Sequence, residues 1–233
     1  MSHFVTAVFT RYGQDYEELL APYNEQDEAF MEFEPCEETK EELQAKYQEV
    51  KDEYSYQSFD QFMKEYYGYH QDQDGQWGYF TNPNAKWDWY QEGGRWDGFF
   101  RAKNGEMVNS ELVSEIDFSP DQQAYDKAIR FWEVMVDGQP LKEGEAQGDF
   151  FTLWKPEYYR EQYGTKEKYA MSQASVTPWA FVTADGDWVE SGNMGWWGMS
   201  DATQDSRSAF DAAFKKYVEE NPYMTVTAVD CHI

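Results

Sequence analysis

The residues best suited to chemistry lie close together: Trp87, Asp88, Trp89, Arg95 and Trp96, within Asn82-Pro-Asn-Ala-Lys-Trp-Asp-Trp-Tyr-Gln-Glu-Gly-Gly-Arg-Trp96. Asn82-Pro83-Asn84 reads as a turn, residues 87–90 as a strand, and Gly93-Gly94 as a second turn where the backbone can bend sharply. On that strand Trp87 and Trp89 share one side, and Asp88 and Tyr90 the other. Arg95 would then face Asp88 across a hairpin. Two readings fit. In one, an aromatic hairpin is locked by a partly buried Asp88–Arg95 pair. In the other, indole faces stack a planar, nucleotide-like ligand while Arg95 holds its anionic group bidentately. The Gly-Gly pair is not a phosphate loop, since neither G-x-x-x-x-G-K nor a G-x-G-x-x-G between strand and helix is present.

Other chemistry is thin. His3, His70 and His232 are the only histidines, without H-E-x-x-H or paired-cysteine spacing, so no metal and no cofactor are expected. If the first and last strands lie antiparallel, His3 comes near Cys231 and His232; these point to opposite faces, so only one can join His3 in a site. Asp72 and Asp74 before Gly75 resemble a fragment of a calcium loop, but its twelfth position falls on Thr81 rather than Glu, which leaves a turn. Gly195-Trp196-Trp197-Gly198, following Trp188, places two indoles beside a bend, as a core cap or as a ligand wall. No catalytic residue can be singled out among 45 acids.

The elements that must position these groups read as α+β: an antiparallel or mixed sheet packed with several helices, in one domain over residues 1–233. His3–Thr10 reads as a buried strand, and residues 224–233 as a terminal strand pairing with it. Tyr16, Leu19, Leu20 and Tyr23 share a helical face before Pro22 ends it. Thr39-Lys-Glu-Glu42 opens a helix over residues 39–54, and Ser58-Phe-Asp-Gln61 opens a second that stops at Gly68. Strands resume at Tyr79-Phe80 and over residues 87–102. Helices follow over residues 121–136, 156–171 and 203–219, with strands at 176–182 and 188–190 around the hairpin turn Ala184-Asp185-Gly186-Asp187. No repeat and no Gly/Ser linker marks a boundary.

Several of these segments also carry a resemblance. Met1-Ser2-His3-Phe4, Leu20-Ala21-Pro22-Tyr23, Asn82-Pro-Asn-Ala-Lys-Trp-Asp-Trp-Tyr90 with Gly93-Gly94-Arg95-Trp96, and Val229-Asp-Cys-His-Ile233 resemble a family of hypothetical proteins encoded by phages and prophages. The resemblance touches both ends and the centre, and what it implies is origin; no activity or residue role comes with it. Glu92 departs from the family pattern, which has an apolar residue before Gly-Gly.

Composition narrows the function. The 233 residues carry 45 Asp plus Glu against 19 Lys plus Arg, a formal charge of −26, which repels nucleic acids and anionic membranes. Aromatics make up 19% of the chain, too many for a disordered acidic tail. No apolar run approaches the ~20 residues of a membrane span, the start carries no secretory signal, and two cysteines fit a reducing cytosol. Residues 14–74 hold 19 acids and 4 bases, a net of −15 that leaves −11 for the other 172 residues. This acidic, largely helical region is either a solvated face or an anionic surface that docks on a basic groove of another protein. The docking surface would centre on Glu37, Glu38, Glu41, Glu42, Glu49, Asp52 and Glu53. With the phage resemblance, the expected function is anti-CRISPR- or antirestriction-like: stoichiometric inhibition, by nucleic-acid mimicry, of a host nucleic-acid-handling or defence protein such as a defence nuclease, in the host cytosol. The alternative is a nucleotide-like ligand binder or enzyme at the Trp87 to Trp96 hairpin.

Overall fold

The computed structural model describes residues 2–195 and 199–233. In chain order the strands and α-helices are β1 (His3–Thr10), α1 (Tyr16–Leu20), β2 (Glu32–Pro35), α2 (Lys40–Val50), α3 (Phe59–Phe62), β3 (His70–Gln71), β4 (Trp77–Thr81) and β5 (Trp89–Glu92). They continue as β6 (Phe100–Arg101), β7 (Met107–Val108), β8 (Ser110–Leu112), α4 (Gln122–Met135), α5 (Pro156–Tyr163), α6 (Lys166–Ala174), β9 (Ala180–Val182), β10 (Trp188–Glu190), α7 (Gln204–Glu220) and β11 (Thr225–His232). The class is α+β, with mixed and antiparallel sheets. No helix among the described residues is long and apolar enough to cross a membrane.

Where the sequence suggested one domain, the backbone divides into two compact units: the chain up to Leu20 together with Trp89–Ile233, and an inserted unit, Ala21–Asp88. No linker composition announces the insertion because hydrogen bonds, not flexible spacers, close its stem. The buried Asn82 amide donates to the carbonyls of Pro22 and Asn24, each at 2.8 Å, and its Oδ1 accepts the Asn84 N–H at 2.9 Å. Lys86 N–H donates to Tyr23 O, and Glu25 N–H to Trp87 O. The Asn-Pro-Asn-Ala-Lys-Trp motif is thus the clasp that joins the ends of an insertion.

In the first unit a sheet runs β10-β9-β1-β11-β5, and β8 shares the β11 edge with β5. The central pair is β1 with β11, antiparallel over its full length from His3 opposite His232 to Thr10 opposite Thr225. The expected pairing of the first and last strands is therefore present. Seven of the eight β1 residues are buried, because the strand is covered on both faces. Val5, Ala7, Phe9, Val226 and Ala228 point to one face, where Phe210 and Phe214 of α7 complete the core. The Asp185-Gly186 turn joins β9 to β10, with Gly186 at φ +93. Residues 156–171, expected as one helix, form two, because Gly164 takes φ +72 and Thr165 caps the next. Trp132 and Val136, from α4 and its C-cap, pack with Tyr159 of α5 in a separate aromatic cluster.

In the inserted unit both expected capping residues accept from the third helical residue: Thr39 from Glu42 N–H, and Ser58 from Gln61 N–H. The first helix stops at Val50 rather than residue 54, and a turn with Ser55 at φ +58 follows. The second continues as a π turn, Met63–Tyr67, and ends at Gly68 with φ +72. Leu43, Val50, Phe62, Met63 and Trp77 form a small core under the antiparallel sheet β2-β4-β3. Asp72 accepts the N–H groups of Asp74 and Gln76 in the turn between β3 and β4.

Candidate functional site

The inserted unit carries 17 acids and five bases. None of the acids is buried: 13 are exposed, and Asp27, Glu38, Asp72 and Asp88 are half-buried. A narrow apolar stripe explains this, since α2 buries only Leu43 and Val50 and leaves its remaining faces to solvent. Lys46 pairs with Glu49 at 3.0 Å. The seven acids expected to form a docking surface do not all do the same thing. Glu37, Glu41, Glu49, Asp52 and Glu53 are exposed. Glu42 instead closes a capping box, its Oε2 accepting from Thr39 N–H at 2.8 Å and Thr39 Oγ1 at 2.7 Å, which holds its carboxyl below the usual range. Glu38 accepts from the Tyr69 hydroxyl at 3.3 Å. Burial, and next the Glu38 charge, push that phenol up to about 12. Tyr67, Tyr69 and Tyr79 stack in series, with ring centres 5.0 and 6.1 Å apart, so the acids border an aromatic surface.

The Trp/Arg segment departs from its expected form. Residues 87–96 do not fold back as a hairpin. Trp87 bridges Asn24 in the inserted unit, where it is 4% exposed and Asp88 is half-buried. Trp89 starts β5, which pairs with β11 instead of with the residues after Gly94. Trp96 packs against the main core, and Arg95 is exposed. Trp87 and Trp89 therefore do not share a strand face. The reason is the long edge of β11, which supplies β5 with a partner that a tight Gly-Gly turn would have to supply locally. Gly93-Gly94 serves close approach instead. A Cβ on Gly94, at φ +53, would stand 2.5 Å from the Asp230 side chain, and one on Gly93 would stand 2.5 Å from Asn109. The Gly195-Trp196-Trp197-Gly198 cluster lies, but for Gly195, outside the described residues.

Gly94 leads to a constellation that sequence reasoning missed. Asp230 is 1% exposed, in the middle of the sheet. Its Oδ2 accepts Arg95 N–H at 3.0 Å, and its Oδ1 meets His3 Nδ1 at 2.8 Å. Nδ1 is thus the His3 ring nitrogen that faces the carboxylate. The His232 ring lies 4.8 Å from that of His3 at 70°, and half-exposed Trp89 lies 6.3 Å from it. Cys231 faces the other way, fully buried, its thiol pushed up to about 12 by burial. His232, not Cys231, is thus the residue beside His3. The signal in the sequence was one acid inside the apolar run Val226 to Cys231, at a position whose alternation points inward.

Two cavities are lined by other residues of the first unit. One, of about 710 Å³, is walled by Phe131, Phe150 and Tyr169 beside Arg130 and Glu145; a polar one of about 430 Å³ lies along residues 10–16. Among the described residues no group of three or more His, Cys, Asp or Glu is gathered for a metal ion. No protein-family model, no curated protein and no solved structure matches the chain.

Proposed function

We propose that the protein is a stoichiometric inhibitor of phage origin, acting in the host cytosol, whose Ala21–Asp88 unit presents carboxylates in place of phosphates to a basic groove of a host nucleic-acid-handling or defence protein. The observation that carries this reading is that all 17 acids of the unit reach solvent against five bases. A field of that sign steers a basic partner and repels polyanions, so the partner is a protein rather than nucleic acid. The Trp/Arg ligand site has less support, because Trp87 is buried and Trp96 packs in the core, which leaves Trp89 as the exposed indole.

The test is competition. The protein is titrated against labelled duplex DNA held by candidate defence nucleases with basic grooves. Release of DNA saturating near a one-to-one ratio is the expected result, with affinity falling steeply as salt shortens the Debye length from about 10 Å to 3 Å. Joint reversal of Glu37, Glu41, Asp52 and Glu53 to Lys should slow association at least about tenfold while leaving the capping box intact. Full effect at strongly substoichiometric protein, or no loss on charge reversal, would reject the mimicry reading.

A further inference from the structure

We propose that the polar cavity bordered by Thr10 and Thr225 binds a neutral, polyhydroxylated ligand, a saccharide ring, with Tyr12 as its stacking platform. The strand register builds this site. Thr10 of β1 lies opposite Thr225 of β11, and Thr227, two residues on, lies opposite Ser110 of β8. Alternation puts all four on one face of the sheet, the face turned away from Phe210 and Phe214. Four hydroxyl side chains thus line a cavity of about 430 Å³, a volume that suits a small molecule. Threonine is ordinary on a solvated strand face, but Thr10 and Thr227 are only 6% and 4% exposed. Ser110 and Thr227 share one hydrogen bond of 2.8 Å, which leaves one of their two protons and further lone pairs unused. The Thr10 and Thr225 hydroxyls have no hydrogen-bond partner among the described residues, and neither is sealed inside the protein as Thr6 Oγ1 is. A buried residue whose hydroxyl opens unpaired onto a cavity is satisfied by what enters that cavity.

The rest of the lining selects the ligand. Arg11, the one cation among the described lining residues, is committed elsewhere: Nη1 donates to Ala184 O at 2.7 Å and Nη2 to the Asp185 carboxylate at 2.6 Å. A phosphate or carboxylate therefore finds no unpaired cation there, and a chain of charge −26 repels both. Hydroxyls donate and accept alike, which matches a ligand whose own hydroxyls do the same. Tyr12, beside them, is a fully exposed aromatic side chain, and the negative face of its ring attracts the C–H side of a pyranose. The loop that carries Tyr12 is braced, since Gln14 Nε2 donates to Ala184 O at 3.0 Å and its Oε1 accepts Arg11 N–H at 3.1 Å. Binding then costs little ordering of that loop. All of these residues belong to the first unit, so the site does not rest on the acids of the inserted one.

Threonine-methyl NMR of the unaltered full chain tests this assignment without depending on how any variant folds. Methyl glucoside, methyl galactoside and N-acetylglucosamine, each titrated to tens of millimolar, are the probes, with uridine and inorganic phosphate as competitors of other chemistry. At least one saccharide should shift the Thr10, Thr225 and Thr227 methyls saturably and leave Thr39 of the inserted unit in place, while phosphate should shift none of them. Tyr12→Ala and Thr10→Val, the first at a fully exposed position and the second keeping the β-branched shape, should each weaken that binding about three- to tenfold. Glu37→Lys should leave it unchanged. No saccharide shift at the three methyls, a tighter response to uridine or phosphate than to every saccharide, or affinity unchanged in both variants would overturn the assignment.

Discussion

A methyl group added at position 94 would have nowhere to go. Gly94 holds φ +53, and its Cβ would meet the Asp230 carboxylate at 2.5 Å, on a β11 strand fixed by β1 on one side and β5 on the other. Gly13 has a similarly left-handed φ of +80 but open space around it. Gly13→Ala is therefore expected to cost about 1 kcal/mol, the backbone penalty alone, and Gly94→Ala about 2–4 kcal/mol, as steric displacement adds to it. Urea midpoints of the two variants measure the difference. Equal losses would mean that β5 shifts away from β11 without resistance. The same residue shows what was legible beforehand. That Gly93-Gly94 allows a sharp approach could be read from the pair itself, but what is approached could not, because Asp230 lies far along the chain and only the pairing of β5 with β11 brings it there.

Among the elements, the loop after α4 is tied down by one bidentate contact. Arg130 donates through Nε and Nη2 to Glu145 at 2.8 and 2.7 Å, Lys142 N–H adds a bond at 2.7 Å, and the guanidinium lies 5.9 Å from the centre of the Phe150 ring. Those hydrogen bonds, from Arg130 first and the Lys142 amide next, hold the Glu145 carboxyl down to about 2 from its ordinary 4.5. A depressed carboxyl stabilises the folded loop above the unfolded value, and that contribution is lost as pH falls from about 4.5 through about 2. Hydrogen exchange at the Lys142 amide, corrected for its intrinsic pH dependence, should accelerate across that window, and Glu145→Gln should show fast exchange already at neutral pH. Protection that holds level to pH 2 would dissociate the loop from this pair. Elements defined by local signals were readable from sequence: the caps at Thr39 and Ser58, and the Asp185-Gly186 turn. The break of α5 from α6 at Gly164 was missed because apolar periodicity runs on through it, and the β5–β11 pairing because strand partners carry no local mark.

For the whole molecule, a charge of −26 sets two responses to salt in opposite directions. Self-repulsion opposes compaction, so raising salt from about 10 mM to 300 mM should increase Tm, while the same change should weaken the proposed docking on a basic partner. Differential scanning calorimetry and binding in matched buffers read both. A Tm that falls over this range would mean that attractive ion pairs, such as Arg130 with Glu145, outweigh the net charge. The two-unit organisation escaped the sequence because the insertion is clasped by Asn82 rather than tethered by a linker. The central strand pair also has a consequence during synthesis. Strand β1, apolar on both faces, leaves the ribosome before both of its neighbours, β9 and β11. Neither edge can be satisfied until Ala180 at the earliest, and the β11 edge waits for Thr225–His232. An unpaired apolar strand of this kind is prone to aggregate. The segment made next, residues 14–74 with a net of −15, travels tethered to it as a built-in solubilising escort. The acidic charge is thus in place beside β1 well before that strand can pair.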